Sequence, residues 1–186
     1  MKKIKISISF FLVWCLIIFL DTEKVWPYFA AAAAVHEMGH ITAIHVCGGQ
    51  VLRFQLGAFG GIIRYYLPNR TVRKEFLICV SGCLFGMLLA LASAAVRIPL
   101  LCGASTILTI ANLLPISYLD GGRALNLLFG EKRVLSLLEY FVIALLLCVG
   151  AAAALEWKAY GLLAMLAVPM FLHQTGLHRR KNKGMI

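Results

Sequence analysis

Charged side chains are scarce in this sequence. Asp, Glu, Lys and Arg make up 14% of the 186 residues, where a soluble domain carries roughly a quarter. Acidic residues are the rarest of all, with eight Asp and Glu against eighteen Lys and Arg, while hydrophobic residues reach 61%. This composition argues against a single water-soluble domain, and the long apolar runs that account for it predict a membrane protein.

Six apolar runs are candidates for membrane spans, because a helix needs about 20 apolar residues to cross a bilayer core. They lie at residues 6–20, 25–47, 76–96, 98–117, 134–155 and 159–173. The predicted fold class is an all-α polytopic membrane protein with about six transmembrane helices, built as one integral-membrane domain over residues 1–177. Residues 178–186 are predicted to form a basic cytoplasmic tail. A signal peptide cleaved at residues 30–34 is the alternative for the amino terminus, but that cut would divide the second span.

The basic residues are distributed unevenly between the two sides of the membrane. If the amino terminus is cytoplasmic, fifteen of the eighteen Lys and Arg fall on the cytoplasmic side, and only Lys24, Arg97 and Lys158 fall on the other. This bias follows the positive-inside rule. We therefore predict a multi-pass protein with both termini in the cytoplasm and the lipid bilayer as its surroundings. The net charge of +10 then requires no nucleic-acid partner.

The six cysteines contain no Cys-x-x-Cys pair, which argues against a zinc ribbon or a thioredoxin-like site. All of them lie in or at the ends of the apolar runs. We interpret them as small buried hydrophobic residues.

Residues 48–69 differ from the rest of the chain. Leu52, Phe54 and Leu56 alternate with Arg53 and Gln55, and a second run of β-prone residues follows after several glycines. This pattern is typical of two strands joined by a turn. A small cytoplasmic-side β-hairpin is predicted here.

The second apolar run contains the pattern His-Glu-x-x-His, formed by His36, Glu37 and His40. Residues four apart lie one turn apart on a helix, so both imidazoles can reach one metal ion. Glu37 is offset from His36 by about 100° around the helix, which leaves its carboxylate free to take a proton from water. Ionisable groups are costly inside a membrane span, and this favours a metal site over histidines that are merely hydrogen-bonded within the bundle.

A catalytic zinc ion takes three protein ligands and keeps one position open. His45 lies on the opposite face of the helix and is excluded, so the candidates for the third ligand are Asp120 and Glu139. Asp120 follows Asn112 and Pro115, and two glycines come directly after it. The proline ends regular helix and the glycines permit an unusual backbone path. We expect Asp120 to be the third ligand, with Glu139 as its competitor.

Together these residues resemble the site-2 protease family of intramembrane metalloproteases. That family pairs a His-Glu-x-x-His helix with a later segment of the form Asn-x-x-Pro followed by Leu-Asp-Gly, and the resemblance covers residues 26–129. It implies Zn2+ as the cofactor, with His36, His40 and Asp120 as zinc ligands. It also implies Glu37 as the general base and Asn112 as a residue that positions substrate or stabilises the oxyanion.

The function that the resemblance implies is hydrolysis of a peptide bond in or near the transmembrane segment of a membrane-tethered protein. The compact six-span form is similar to the sporulation subgroup of the bacterial cell membrane, whose substrate is a sigma-factor precursor. One departure is that residues 82–86 read Gly-Cys-Leu-Phe-Gly, where many relatives have Gly-Pro-x-x-Asn. A membrane metal-binding transporter and a catalytically inactive scaffold are the alternative functions, and the sequence predicts no oligomeric state.

The predicted hairpin suggests how substrate is held. A transmembrane helix must unwind before it is cut, and its freed N–H and C=O groups need partners in lipid. A sheet edge supplies such partners by strand addition. We expect substrate to bind along the edge of residues 51–67; the alternative is that the hairpin only shields the site.

Overall fold

A computed structural model describes residues 3–57, 60–130 and 134–145 of the chain. The chain divides into two compact units, Met1–Leu135 and Ser136–Ile186. The described part is mostly helical with one small sheet. Its elements are, in chain order, β1 (Lys3–Ile6), α1 (Ile8–Leu20), α2 (Trp26–Val46), β2 (Gln50–Gly57), β3 (Gly60–Tyr66), α3 (Val72–Ala95), α4 (Pro99–Leu113), α5 (Asp120–Phe129) and α6 (Val134–Leu145).

Local sequence signals set the ends of the helices. Pro27 lies in the first turn of α2, where its missing N–H leaves no intrahelical bond unmade. Thr71 caps α3 by accepting a backbone hydrogen bond with its side chain. Leu114 is extended, as residues before proline tend to be, and α4 therefore ends ahead of Pro115. The chain turns there, and α5 begins at Asp120.

Helix α3 lies at the centre of the first unit and packs against α2, α4 and α5. Glycines allow this close approach. A β-carbon on Gly39 of α2 would collide with the main chain at Ser81, and one on Gly86 of α3 would collide with the Thr109 hydroxyl of α4. Small residues at these positions thus allow the helices to pack closely.

The sheet contains the predicted hairpin and one strand that was not predicted. Strands β2 and β3 are antiparallel, with Phe54 opposite Ile63, and β1 pairs parallel to β2 with Lys5 opposite Gln55. The two antiparallel strands of the predicted hairpin are confirmed. The expectation that the first span begins at Ile6 is wrong, because the alternation Lys-Ile-Lys-Ile forms a strand and α1 starts only at Ile8.

A compact apolar core fixes the hairpin over the carboxyl-terminal half of α2. It consists of the buried residues Ala43, Ile44, Val51, Leu67 and Ile78. These residues come from α2, the hairpin and the start of α3. The core therefore holds strand β3 beside the middle of α2, where the metal motif lies.

The first unit combines buried polar residues with large exposed apolar side chains, which is unusual for a water-soluble domain. Buried polar residues in the first unit are His36, His40, Ser81, Ser93, Ser105, Thr109 and Asp120. Large apolar side chains are exposed on the outer faces of the helices, among them Phe19 on α1, Leu88 and Leu91 on α3, and Ile107 and Ile110 on α4. Soluble proteins bury such residues, so these faces fit contact with lipid.

Among the described residues, α3 is the one helix that is both long and apolar enough to cross a membrane. Helices α1 and α4 are apolar but have 13 and 15 residues. Fifteen residues of helix extend about 22 Å, which is less than a bilayer core of roughly 30 Å. The predicted fourth span is shortened by Pro115, and the structure adds α5 after it. The predicted sixth span, the end of the fifth and the tail at 178–186 lie outside the described residues.

Candidate metal centre

Three side chains converge between α2 and the first residue of α5. The Nε2 atoms of His36 and His40 are 3.2 Å apart, and Asp120 Oδ2 lies 3.0 Å from each of them. All three residues are buried. We call these three atoms the ligand triangle. The structure thus brings together the three residues that the resemblance implies as zinc ligands.

Helix α3 supports the two histidines. The imidazole rings stand nearly perpendicular, with an interplanar angle of 83°. Gly82 faces both rings, and a β-carbon there would lie 2.6 Å from His40 Cε1 and 2.8 Å from His36 Cε1. Any side chain at this position would displace the rings, so a glycine is required where α3 passes beneath the site.

The orientation of His40 is fixed by the backbone of α3. His40 Nδ1 lies 2.7 Å from the Ile78 carbonyl oxygen. Because a carbonyl oxygen only accepts, Nδ1 carries the proton, and in the neutral ring Nε2 directs its lone pair into the ligand triangle. Metal-ligating histidines are commonly oriented by such a bond from the other ring nitrogen.

The ligand triangle fits a divalent metal. A tetrahedral zinc ion with nitrogen and oxygen ligands places its ligand atoms about 3.3 Å apart, close to the measured sides of 3.0, 3.0 and 3.2 Å. Asp120 Oδ2 is buried, and its 3.0 Å contacts are with the Nε2 atoms of His36 and His40. The lone pair of His40 Nε2 and this carboxylate oxygen repel each other at 3.0 Å, and a cation between them removes the repulsion.

Glu37 lies beside the ligand triangle and is held by the hairpin. Its Oε1 accepts a hydrogen bond from the Gly61 backbone N–H at 3.2 Å. A β-carbon on Gly61 would lie 2.7 Å from the carboxyl carbon of Glu37, so only glycine allows this approach. Strand β3 therefore fixes the carboxylate next to the two histidines.

Two cavities lie beside the site and share Asp120. The polar cavity is lined by Glu37, Gly61, Ile63, Asn112, Asp120 and Arg123, together with both histidines and neighbouring residues. The apolar cavity is lined by Phe76, Cys79, Cys83, Asp120, Leu125 and Leu128 and their neighbours. Among the described residues, Asp120 is the one that lines both.

Asn112 faces the polar cavity, as its predicted role requires. Its side-chain Nδ2 donates to the Leu108 carbonyl oxygen at 3.0 Å, one turn earlier in α4. The amide has two N–H groups, so this bond uses one of them and fixes the direction of the other.

Arg123 is a site residue that the sequence reasoning missed. Its Nη1 lies 3.7 Å from Asp120 Oδ1. The arginine thus interacts with the carboxylate oxygen that is outside the ligand triangle. Its position one helical turn after Asp120 is the signal that was available.

The other candidate ligands behave differently. His45 is exposed, and its Nδ1 bonds to the Ile41 carbonyl oxygen within α2. Glu139 is a buried residue of α6, and its position belongs to the second unit. The carboxylate that the first unit brings to the histidines is that of Asp120.

The prediction that the cysteines are small buried hydrophobic residues holds for some of them and not for others. Cys79 and Cys83 are buried, whereas Cys15 is exposed on α1. Cys148 lies outside the described residues. The Cys83 sulfur, a ring nitrogen of His36 and a carboxylate oxygen of Asp120 all lie within 4.8 Å of one another. Cys83 therefore lies closer to the site than its interpretation as a packing residue implies.

No family model and no curated protein matches the sequence. Among solved structures, the chain is similar to the site-2 protease from Methanocaldococcus jannaschii, with a TM-score of 0.64. The two are 20% identical, and the match covers 89% of this chain and 86% of that protein. A likeness at this identity establishes the fold. The resemblance to site-2 proteases noted in the sequence is therefore confirmed at the level of the fold.

Proposed function

We propose that this chain is an intramembrane zinc metalloprotease of the site-2 protease family, which hydrolyses a peptide bond in or near the transmembrane segment of a membrane-tethered protein. The observation that carries the proposal is the ligand triangle with the Glu37 carboxylate beside it. The fold shared with the site-2 protease of M. jannaschii supports it. So do the exposed apolar faces and the buried polar residues of the first unit.

His36, His40 and Asp120 would hold the zinc ion. When bound, zinc supplies Lewis acidity, which activates a water molecule and polarises the scissile carbonyl. The protein contributes the orientation of the ligands: the Ile78 carbonyl oxygen fixes the ring of His40, and Arg123 interacts with the outer carboxylate oxygen of Asp120.

Glu37 is the general base in this proposal. Its carboxylate takes a proton from the attacking water and passes it to the leaving amine, and such transfers contribute about 10²–10⁴-fold to rates. The Gly61 N–H holds Oε1 and leaves Oε2 to receive the proton. Asn112 would use its second N–H to bind the carbonyl oxygen of the substrate, on which negative charge develops.

Substrate would bind as an extended strand along β3. This strand lies at the edge of the described sheet, in the order β1-β2-β3. Gly61 and Ile63 of β3 line the polar cavity with Glu37. A peptide added to this edge would satisfy its backbone groups on β3 and run directly past the base.

The proposal also covers the location of the protein and the identity of its substrate. The uneven distribution of Lys and Arg supports an orientation with both termini in the cytoplasm, and the resemblance to the sporulation subgroup suggests the bacterial cell membrane. The resemblance to the sporulation subgroup suggests a membrane-tethered sigma-factor precursor as substrate. Single-span precursors of this kind are therefore the first substrates to test.

Replacement of Glu37 by Gln tests the proposed activity. Co-expression with single-span candidate substrates should show cleavage by the wild type and a loss of about 10²–10⁴-fold in Glu37→Gln. Glutamine keeps an oxygen that can accept from Gly61 but cannot take a proton from water. Purified Glu37→Gln protein should keep its zinc, measured by elemental analysis. Cleavage by the variant at near the wild-type rate would show that the mechanism is wrong.

A further inference from the structure

We propose that Cys83 is a fourth ligand of the metal when no substrate is bound, and that it closes the coordination position that a water molecule needs. The inference rests on the proposed function, because the ligand triangle must hold a metal. It concerns the departure at residues 82–86, where this chain has a cysteine directly after the glycine that faces the two histidines.

The distances bring the sulfur within reach of a metal. Cys83 Sγ lies within 4.8 Å of a ring nitrogen of His36 and a carboxylate oxygen of Asp120. Zinc bonds of about 2.3 Å to sulfur and about 2.0–2.1 Å to nitrogen separate the two ligand atoms by about 3.6 Å in a tetrahedral site. A side-chain shift of about 1 Å brings the sulfur to this separation from the His36 nitrogen.

The surroundings of the sulfur favour a ligand. Cys83, His36 and Asp120 are 5%, 5% and 7% exposed. Asp120 Oδ2 is buried and lies 3.0 Å from the Nε2 atoms of His36 and His40. Sulfur and imidazole nitrogen are both ligands that zinc accepts readily. Cys83 thus offers a sulfur ligand of the kind that closed zinc sites contain.

The Cys83 sulfur and the Glu37 carboxylate lie on different sides of Asp120. Cys83 lines the apolar cavity and Glu37 lines the polar cavity. When the sulfur binds, its S–H bond is exchanged for a sulfur–metal bond, and the proton and the displaced water leave to solvent. The metal then has four protein ligands and no open position. Substrate binding must displace the sulfur before hydrolysis can begin.

Cys79 provides a matched control. It lies one turn earlier on α3, is 2% exposed and also lines the apolar cavity. It is not part of the group formed by Cys83, His36 and Asp120. If both cysteines only fill space, replacing either should leave the metal unchanged.

Cobalt substitution of the full chain in detergent tests the proposal. Tetrahedral Co2+ shows d–d bands in the visible region, and a thiolate ligand adds a sulfur-to-cobalt charge-transfer band in the near ultraviolet. We expect this second band in the wild type and in Cys79→Ser, and its loss to background in Cys83→Ser and Cys83→Ala. The d–d bands should remain in all four proteins.

Two outcomes would overturn the assignment: wild-type protein with d–d bands but no charge-transfer band, or a charge-transfer band that survives in Cys83→Ser. Zinc X-ray absorption of the wild type gives the same answer without any variant, since one sulfur neighbour at about 2.3 Å is expected. Failure of the wild type to bind either metal would instead contradict the proposed function. The two failures are therefore distinguishable.

Discussion

The polar and apolar cavities are built from neighbouring parts of the same helices, yet their linings have little in common. The polar cavity contains a carboxylate, an amide and a guanidinium group from Glu37, Asn112 and Arg123. The apolar cavity contains aromatic and aliphatic side chains and two thiols. Asp120 separates the two. Asp120 thus lies between a cavity whose polar groups are suited to hydrolysis and a cavity lined mainly by apolar side chains.

Replacement of Asp120, which lines both cavities, should have the largest effect on zinc binding and cleavage. Asp120→Ala deletes one atom of the ligand triangle, so zinc affinity should fall by more than the roughly 10–100-fold that loss of an outer-shell partner costs. Cleavage should disappear with the metal. Elemental analysis of purified protein measures the loss. Glu139→Gln is the control and should keep its zinc; zinc lost from this variant but retained in Asp120→Ala would assign the third ligand to Glu139.

A larger side chain in the polar cavity should impair hydrolysis without releasing the metal. Gly61→Ala places a β-carbon 2.7 Å from the Glu37 carboxyl group and should displace the base. We expect cleavage to fall by up to about 10²-fold, since general bases contribute about 10²–10⁴-fold, with zinc content unchanged.

Gly57→Ala is the matched control in the same hairpin, because the nearest atom to its β-carbon is 3.7 Å away. Cleavage by this variant should equal that of the wild type. Equal rates in Gly61→Ala and Gly57→Ala would show that the approach of β3 does not position Glu37.

The smallest effect is expected at the outer edge of β3. N–H groups alternate between the two sides of a strand, so Ile63→Pro and Arg64→Pro remove one donor toward β2 and one toward the open edge. The variant that keeps the wild-type melting temperature is the one that lost the outward donor. A net hydrogen bond of about 0.5–1.5 kcal/mol predicts a rise in KM of roughly 2- to 10-fold in that variant. An unchanged KM would leave the hairpin only a shielding role.

The parts of the fold that sequence predicts well are those with local patterns. The spacing of His36 and His40 indicates two ligands on one helix face, and the alternation at Leu52, Phe54 and Leu56 indicates a strand. Pro115 marks the end of α4. Each of these follows from the geometry of a single element.

The remaining features depend on contacts between distant elements. Gly61 meets Glu37 across 24 positions of sequence, and β1 joins β2 across the whole of α1 and α2. Composition indicates that glycines permit close approach, but it does not say which side chain approaches. For the same reason Cys83 reads as a packing residue until α5 places Asp120 beside it.

The hydrogen bond from His40 Nδ1 to the main chain of α3 cannot be removed by substituting the residue that accepts it. The acceptor is the carbonyl oxygen of Ile78, which also accepts from the Ser81 hydroxyl at 2.7 Å, and no side-chain replacement at position 78 removes that oxygen. What can remove it is a sliding of α3 along α2, since a shift of one residue moves the carbonyl by about 1.5 Å along the axis and about 100° around it. The histidine is thus tied to the register of two helices, and bilayers of different thickness, which change helix tilt, become a means of perturbing the metal centre without altering the sequence.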